Sequence, residues 1–227
     1  IINNTIKSQQ LSSELKEMLL NITPITFLKL FATDFIYKPV LQCLLIVISI
    51  IAVNIFCEDY TSGNMKFFLI SRRKKTQLIL AKLIFLITII IIIVIANIIM
   101  GYLAGIAFFG REALNLKELG EVLLLYAFSV LPTFAYAIIV AILSILLCNT
   151  SIMLPIAIFL PIILSTLDLY TPSKYFSPVG TMSLIGFGLI TRIPIKDFLI
   201  TNGVSFLYIA IGIIVLTKMI KRKDILL

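Results

Sequence analysis

The residues with most capacity for interaction are gathered in one stretch, EDYTSGNMKFFLISRRKKTQLILAK, residues 58–82. Acids come first (Glu58, Asp59), cations follow (Lys66, Arg72, Arg73, Lys74, Lys75, Lys82), and Met65, Phe67, Phe68 and Leu69 lie between them. Gly63 allows a tight turn. Three chemistries suit such a surface. The cations could fix topology only, or hold anionic lipid headgroups at about 1 kcal/mol each. They could meet a phosphate backbone, but one short loop between two apolar runs is a poor footprint for nucleic acid, and none is expected as a partner. Or the stretch could dock to a protein, with aromatic anchors in a groove and charges setting orientation.

Other chemistry finds little support. The chain has no histidine and three cysteines, Cys43, Cys57 and Cys148, none paired at metal-ligand spacing. Zinc sites and histidine catalysis are therefore not expected, and no metal or cofactor is assigned to the chain. The cysteines lie in or beside apolar runs and read as small apolar filler rather than a disulfide framework. An intramembrane enzyme is disfavoured, because the apolar runs hold no paired acids and no nucleophile with a base. No G-x-x-x-x-G-K-[ST] phosphate loop occurs, so any ATP and magnesium would be bound by another polypeptide.

The elements that must position this stretch are apolar. Of 227 residues 60% are hydrophobic and 13% charged, with mean hydropathy +1.14, too few polar groups to cover a soluble domain. Uncharged runs at 39–57, 83–109, 122–147, 151–167 and 198–217 each approach the ~20 residues that cross a bilayer core. The expectation is one all-α integral membrane domain over 1–227, a polytopic helical bundle with five spans visible. The piece VGTMSLIGFGLIT (179–191), between Pro178 and Pro194, is too short to cross and reads as a re-entrant or interfacial element.

Charge sets the orientation. Residues 58–82, 148–150 and 218–227 carry ten cations and three acids, crowded against span ends, while 1–38, 110–121 and 168–197 carry nine cations and eight acids over a far greater length. The positive-inside rule makes the first set cytoplasmic, including the tail with Lys218, Lys221, Arg222 and Lys223. Residues 1–38 and 168–197 are then external. Placing 1–38 outside needs a translocating helix, so a sixth span is expected upstream of residue 1. Within 1–38, Ser12 or Ser13 offers a helix N-cap with acids in the first turn. Phe27, Phe31 and Phe35 share one helical face, which either lies in the membrane interface or packs on neighbouring spans.

The runs contain no charge, which argues against a proton- or sodium-coupled carrier and for an amphipathic or apolar cargo. Their polar residues are mild. Tyr126, Ser129, Thr133 and Tyr136 fall at spacings of three and four beside Pro132, where a kink is expected. They either bond between helices or line a translocation path. Gly101 and Gly105 form a GxxxG that permits close helix approach, and Pro155 and Pro161 mark a bent helix.

The order of residues in 59–82 resembles the cytoplasmic signature of type-2 ABC exporter permeases, the class of drug, bacteriocin and lantibiotic immunity permeases. Its form is acid-Tyr-x-Ser-Gly-Thr-apolar-Lys, a Leu-rich turn, Pro-x-Ser-Arg, and a Lys entering the next helix. Asp59, Tyr60, Ser62, Gly63, Met65, Lys66, Leu69, Lys75 and Lys82 match in type and spacing, whereas Asn64, Arg72 and Lys74 replace Thr, Pro and Ser. The resemblance implies six spans, both termini inside, in a bacterial cell membrane. It implies that 58–70 is a coupling helix docking into an ATP-hydrolysing subunit, with Asp59, Tyr60, Gly63, Met65, Lys66, Phe67, Phe68 and Leu69 at the contact. The turn CNTS at 148–151 would be a smaller second contact. The assembly would hold two ATPase copies and a second permease copy or paralogue, moving amphipathic peptides or drugs. The rival expectation is an ion-gradient-coupled secondary transporter or channel.

Overall fold

The computed structural model describes residues 23–33, 37, 42–61, 75–109, 116–170, 176–190 and 195–222. Seven helices occur among them: α1 (Pro24–Phe31), α2 (Cys43–Thr61), α3 (Lys75–Phe109), α4 (Leu116–Leu147), α5 (Thr150–Tyr170), α6 (Pro178–Ile190) and α7 (Ile195–Arg222). The protein is an all-α bundle of membrane type. Four helices contain segments long and apolar enough to cross a bilayer: Thr76–Phe109, Glu118–Leu147, Thr150–Asp168 and Leu199–Ile220. The runs at 83–109, 122–147, 151–167 and 198–217 fall within α3, α4, α5 and α7. The run at 39–57 is α2, whose apolar portion is the shorter Cys43–Cys57. Gln42 is not helical, and its carbonyl accepts from Ile46 N, so it stands at the N-cap of α2. The whole of α2 has 19 residues, about 28 Å, close to the thickness of a hydrocarbon core.

The centre of the bundle is α4. It packs against α2, α3, α5, α6 and α7. Its span is 61% buried, against 28% for that of α3 and 22% for those of α5 and α7. Residues 132–138 are buried without a break, so at 3.6 residues per turn every side of the helix is covered there. The outer helices turn apolar side chains outward. Ile84, Ile92 and Met100 of α3, Phe159 and Ile163 of α5, and Phe206, Leu207 and Ile214 of α7 are all more than half exposed. Such an exterior suits lipid, not water.

Interior polar groups follow the opposite rule. Ser49, Ser129, Thr133, Ser144, Ser165, Thr181 and Ser205 are buried. Several donate to a carbonyl of their own helix four residues back: Ser49 to Leu45 (2.7 Å), Thr133 to Ser129 (2.7 Å), Ser144 to Val140 (2.8 Å) and Ser205 to Thr201 (3.0 Å). A hydroxyl that bonds locally can enter an apolar interior with its donor satisfied.

Glycine sets the closest approaches. A Cβ on Gly105 would lie 2.8 Å from the Pro24 carbonyl oxygen and 2.9 Å from Pro24 Cα, and one on Gly101 would meet Leu28 Cδ1 at 2.6 Å. The GxxxG of α3 is therefore the seat of α1. Thr23 caps α1 by accepting from Thr26 N at 3.1 Å, with Pro24 at its first helical position. The Phe27 ring lies 5.6 Å from Phe109, 6.3 Å from Phe108 and 6.3 Å from Phe31. Phe27 thus packs on the C-terminal end of α3. Phe35, Ser12 and Ser13 lie outside the described residues. At the other end of α4, the chain reverses in two residues. Cys148 takes a left-handed conformation (φ 49), and Asn149 caps α5 by accepting from Ser151 N and Ile152 N at 3.0 and 3.3 Å.

Candidate functional site

The two candidate regions meet the described structure very differently. Asp59 and Tyr60 belong to the last turn of α2, and α3 resumes the chain at Lys75. Gly63, Met65, Lys66, Phe67, Phe68 and Leu69 lie outside the described residues. Lys82 reaches back from the start of α3 to the main chain of α2, so these two helices are joined there. The two-residue α4–α5 turn holds Cys148 and Asn149 of the 148–151 segment, with Thr150 and Ser151 opening α5, and it sits at the end of α4 away from Leu116.

The second region is a polar seam on α4. Tyr126, Ser129, Thr133 and Tyr136 are all buried, at 1% exposure or less, and they share one face as their spacing requires. That face is turned inward against α2, α5 and α6. Ser129 donates to Tyr126 O at 2.7 Å. Thr133 lies 3.4 Å from Met182 Sδ of α6. The Tyr136 hydroxyl is 2.9 Å from Ser49 Oγ of α2 and 3.5 Å from Ala157 O of α5. Because the Ser49 proton goes to Leu45 O, Tyr136 is the donor in that pair. In this conformation the stripe is the contact line of four helices.

The seam continues beyond α4 through residues that no sequence motif singled out. Gln42, at the start of α2, donates through Nε2 to Val179 O (3.1 Å) and Ser183 Oγ (2.9 Å) of α6. Tyr37 packs edge-on against Tyr126, with ring centroids 5.9 Å apart, and its Cβ would lie 2.5 Å from a Cβ on Gly186. Thr33 donates to Lys29 O (2.8 Å) and approaches Gly186 O at 3.4 Å. The 13-residue α6 is thus lodged against α4 with its first five residues buried. Burial pushes the Tyr37 phenol well above its ordinary value, with neighbouring Ser129 opposing the rise, so it remains a protonated donor across the accessible pH range. Tyr37, Gln42 and Ser49 carry no spacing signal because their partners are 87 to 141 residues away or on other elements.

No metal-holding group of three or more His, Cys, Asp or Glu side chains occurs among the described residues. Cys43, Cys57 and Cys148 form no disulfide with one another. No curated protein and no solved structure matches the chain. One family model does, over residues 24–226, from α1 to beyond the end of α7. Since the match takes in every helix described above, the chain belongs to the family described as "Protein of unknown function (DUF2705)".

Proposed function

We propose that this chain is the membrane permease subunit of an ATP-driven ABC exporter in a bacterial cell membrane. Its cargo class is amphipathic: antimicrobial or cytolytic peptides, lantibiotics, or membrane-active drugs. The observation that carries the reading is the signature in 59–82, set between the end of α2 and the start of α3, with nine positions matching in type and order. Two further features support it. The cations of 58–82 and of the tail after Thr217 crowd against helix ends, as expected of a cytoplasmic face. The apolar runs carry no charge, as expected where the driving force is not an ion gradient.

On this reading, 58–70 docks into a separate ATP-binding subunit, present in two copies, and a second permease copy or paralogue completes the assembly. The hydroxyl seam of Tyr126, Ser129, Thr133 and Tyr136 lies where α4 meets α2, α5 and α6, so separation of those helices would open it to cargo.

The test is affinity purification of the chain from its native membrane, followed by reconstitution. A polypeptide with a phosphate-binding loop should co-purify, and ATP-loaded vesicles should move an amphipathic peptide with the proton gradient collapsed. Transport that needs no ATPase and stops with an uncoupler would overturn the proposal in favour of a gradient-coupled carrier.

A further inference from the structure

One patch of the apolar exterior is aromatic. At the C-terminal end of α3, Phe108 is 77% exposed and Phe109 40%. Phe27 of α1 is half-buried beside them, its ring centroid 6.3 Å from that of Phe108 and 5.6 Å from that of Phe109. The patch continues the lipid-facing side of α3, where Met100 and Leu103 are more than half exposed.

The depth of the patch follows from the length of α3. Lys82 marks one edge of the apolar layer, because it reaches the carbonyl of Ile55, and Ile55 lies three residues before Glu58, the first charge after the apolar run of α2. No charge falls between Lys82 and Phe109. Phe108 stands 26 positions past Lys82, which is about 39 Å along a helix axis. At the average tilt of about 20° this is still about 37 Å of depth, against a hydrocarbon core of about 30 Å. Phe108 therefore stands just past the opposite edge of the core. Gly101 and Gly105, the seat of α1, are 19 and 23 positions past Lys82, so α1 straddles that edge.

A ring suits this layer. It buries an apolar body among the upper acyl segments, and its π face tolerates the polar headgroups beside it. Phenylalanine accordingly serves on the lipid side of helices that rest in the interface. We propose that Phe27, Phe108 and Phe109 form an aromatic anchor lodged in lipid at the headgroup–acyl boundary of the leaflet opposite Lys82. The anchor sets how far α3 stands out of the bilayer. It carries α1 with it, because Gly105 lets the Pro24 backbone lie directly on α3.

The chain contains no tryptophan, so Phe108→Trp, Phe27→Trp and Ile92→Trp variants each carry a lone reporter. The test reconstitutes the full chain in phosphatidylcholine vesicles whose acyl chains bear bromine either next to the headgroup or near the chain ends. Ile92 is more than half exposed and 10 positions past Lys82, about halfway through the core. Its tryptophan should lose more emission to the deep bromine. Phe108→Trp and Phe27→Trp should show the opposite order, losing more emission to the shallow bromine. The Ile92→Trp order in either Phe variant would overturn the anchor. So would the absence of quenching by both lipids in either variant, the result expected of rings covered by another protein or standing in water.

Discussion

Lys82 of α3 is bonded to Ile55 of α2: its Nζ donates to the Ile55 carbonyl oxygen at 2.5 Å and lies 5.4 Å from the centroid of the Phe56 ring. A half-buried ammonium at the edge of a membrane bundle needs such partners, and a carbonyl with an aromatic face supplies both a hydrogen bond and a cation–π contact. The pair also fixes the distance between the helices that enter and leave the charged stretch.

Lys82→Met removes the donor and keeps the stem. A hydrogen bond to a charged group is worth about 1.5–3 kcal/mol, and partial exposure of Lys82 puts the loss near the lower figure. Lys82→Arg should retain most of it. The thermal midpoint of the purified chain reads both. If the proposed coupling is right, ATPase stimulation should fall in the Met variant even below its melting range.

The glycines separate into two classes. Gly105→Ala sets a methyl against the Pro24 backbone, which cannot rotate away, and should destabilise by about 1–3 kcal/mol while loosening α1. Gly120→Ala and Gly203→Ala meet nothing within 4 Å and should be neutral or gain up to about 1 kcal/mol of helix propensity. Thermal unfolding ranks the three. A short bifunctional thiol cross-linker between cysteines placed at Phe27 and Phe109 reports the position of α1, and it should bridge them in wild-type background but poorly with Gly105→Ala.

Ser49 and Tyr136 are predicted to be unequal partners. Tyr136→Phe leaves Ser49 with its own bond to Leu45 O, so the loss should stay near 1 kcal/mol. Ser49→Ala strands the buried Tyr136 hydroxyl with only a 3.5 Å approach to Ala157 O, and should cost more, about 1–3 kcal/mol. Equal losses in the two variants would overturn the asymmetry, and wild-type midpoints in both would show that the bond contributes nothing.

The proposed docking of 58–70 is tested through its anchors. Phe67→Ala or Phe68→Ala should abolish stimulation of the partner ATPase, since an aromatic hot spot contributes about 2 kcal/mol or more. Neutralising Lys74 and Lys75 should cost less and lose its effect as salt is added. Gly63→Val should uncouple if the turn needs a conformation that a β-branched residue resists. Stimulation at wild-type level in both Phe variants and in Gly63→Val would leave a stretch that only sets topology.

The sequence carried the helices better than it carried their contacts. Long runs without a charge admit only one reading in a bilayer, so α3, α4, α5 and α7 were legible from composition and length. The spacing of Tyr126, Ser129, Thr133 and Tyr136 made a common face legible too, because helical periodicity is local. What faces that stripe was not. Gln42 reads as the polar edge of an apolar run, and only the folded chain brings it to Val179 and Ser183. The GxxxG at Gly101 and Gly105 announced a close neighbour without naming it. That neighbour, α1, is eight residues long and too short to stand out by hydropathy. For Gly63 through Leu69, the described structure begins and ends on either side, and the expectation rests on sequence order.

The way interior hydroxyls are satisfied also bears on the order of synthesis. Ser49, Thr133, Ser144 and Ser205 each find an acceptor within their own helix, so each helix can leave the ribosome and rest in lipid before its neighbours exist. Gln42 has no such provision. The amide nitrogen of its carboxamide donates to residues 137 and 141 positions later, and until α6 emerges it must stay at a wet surface. The start of α2 is thus held at the membrane boundary through most of translation, and the arrival of α6 is the event that lets it be sealed.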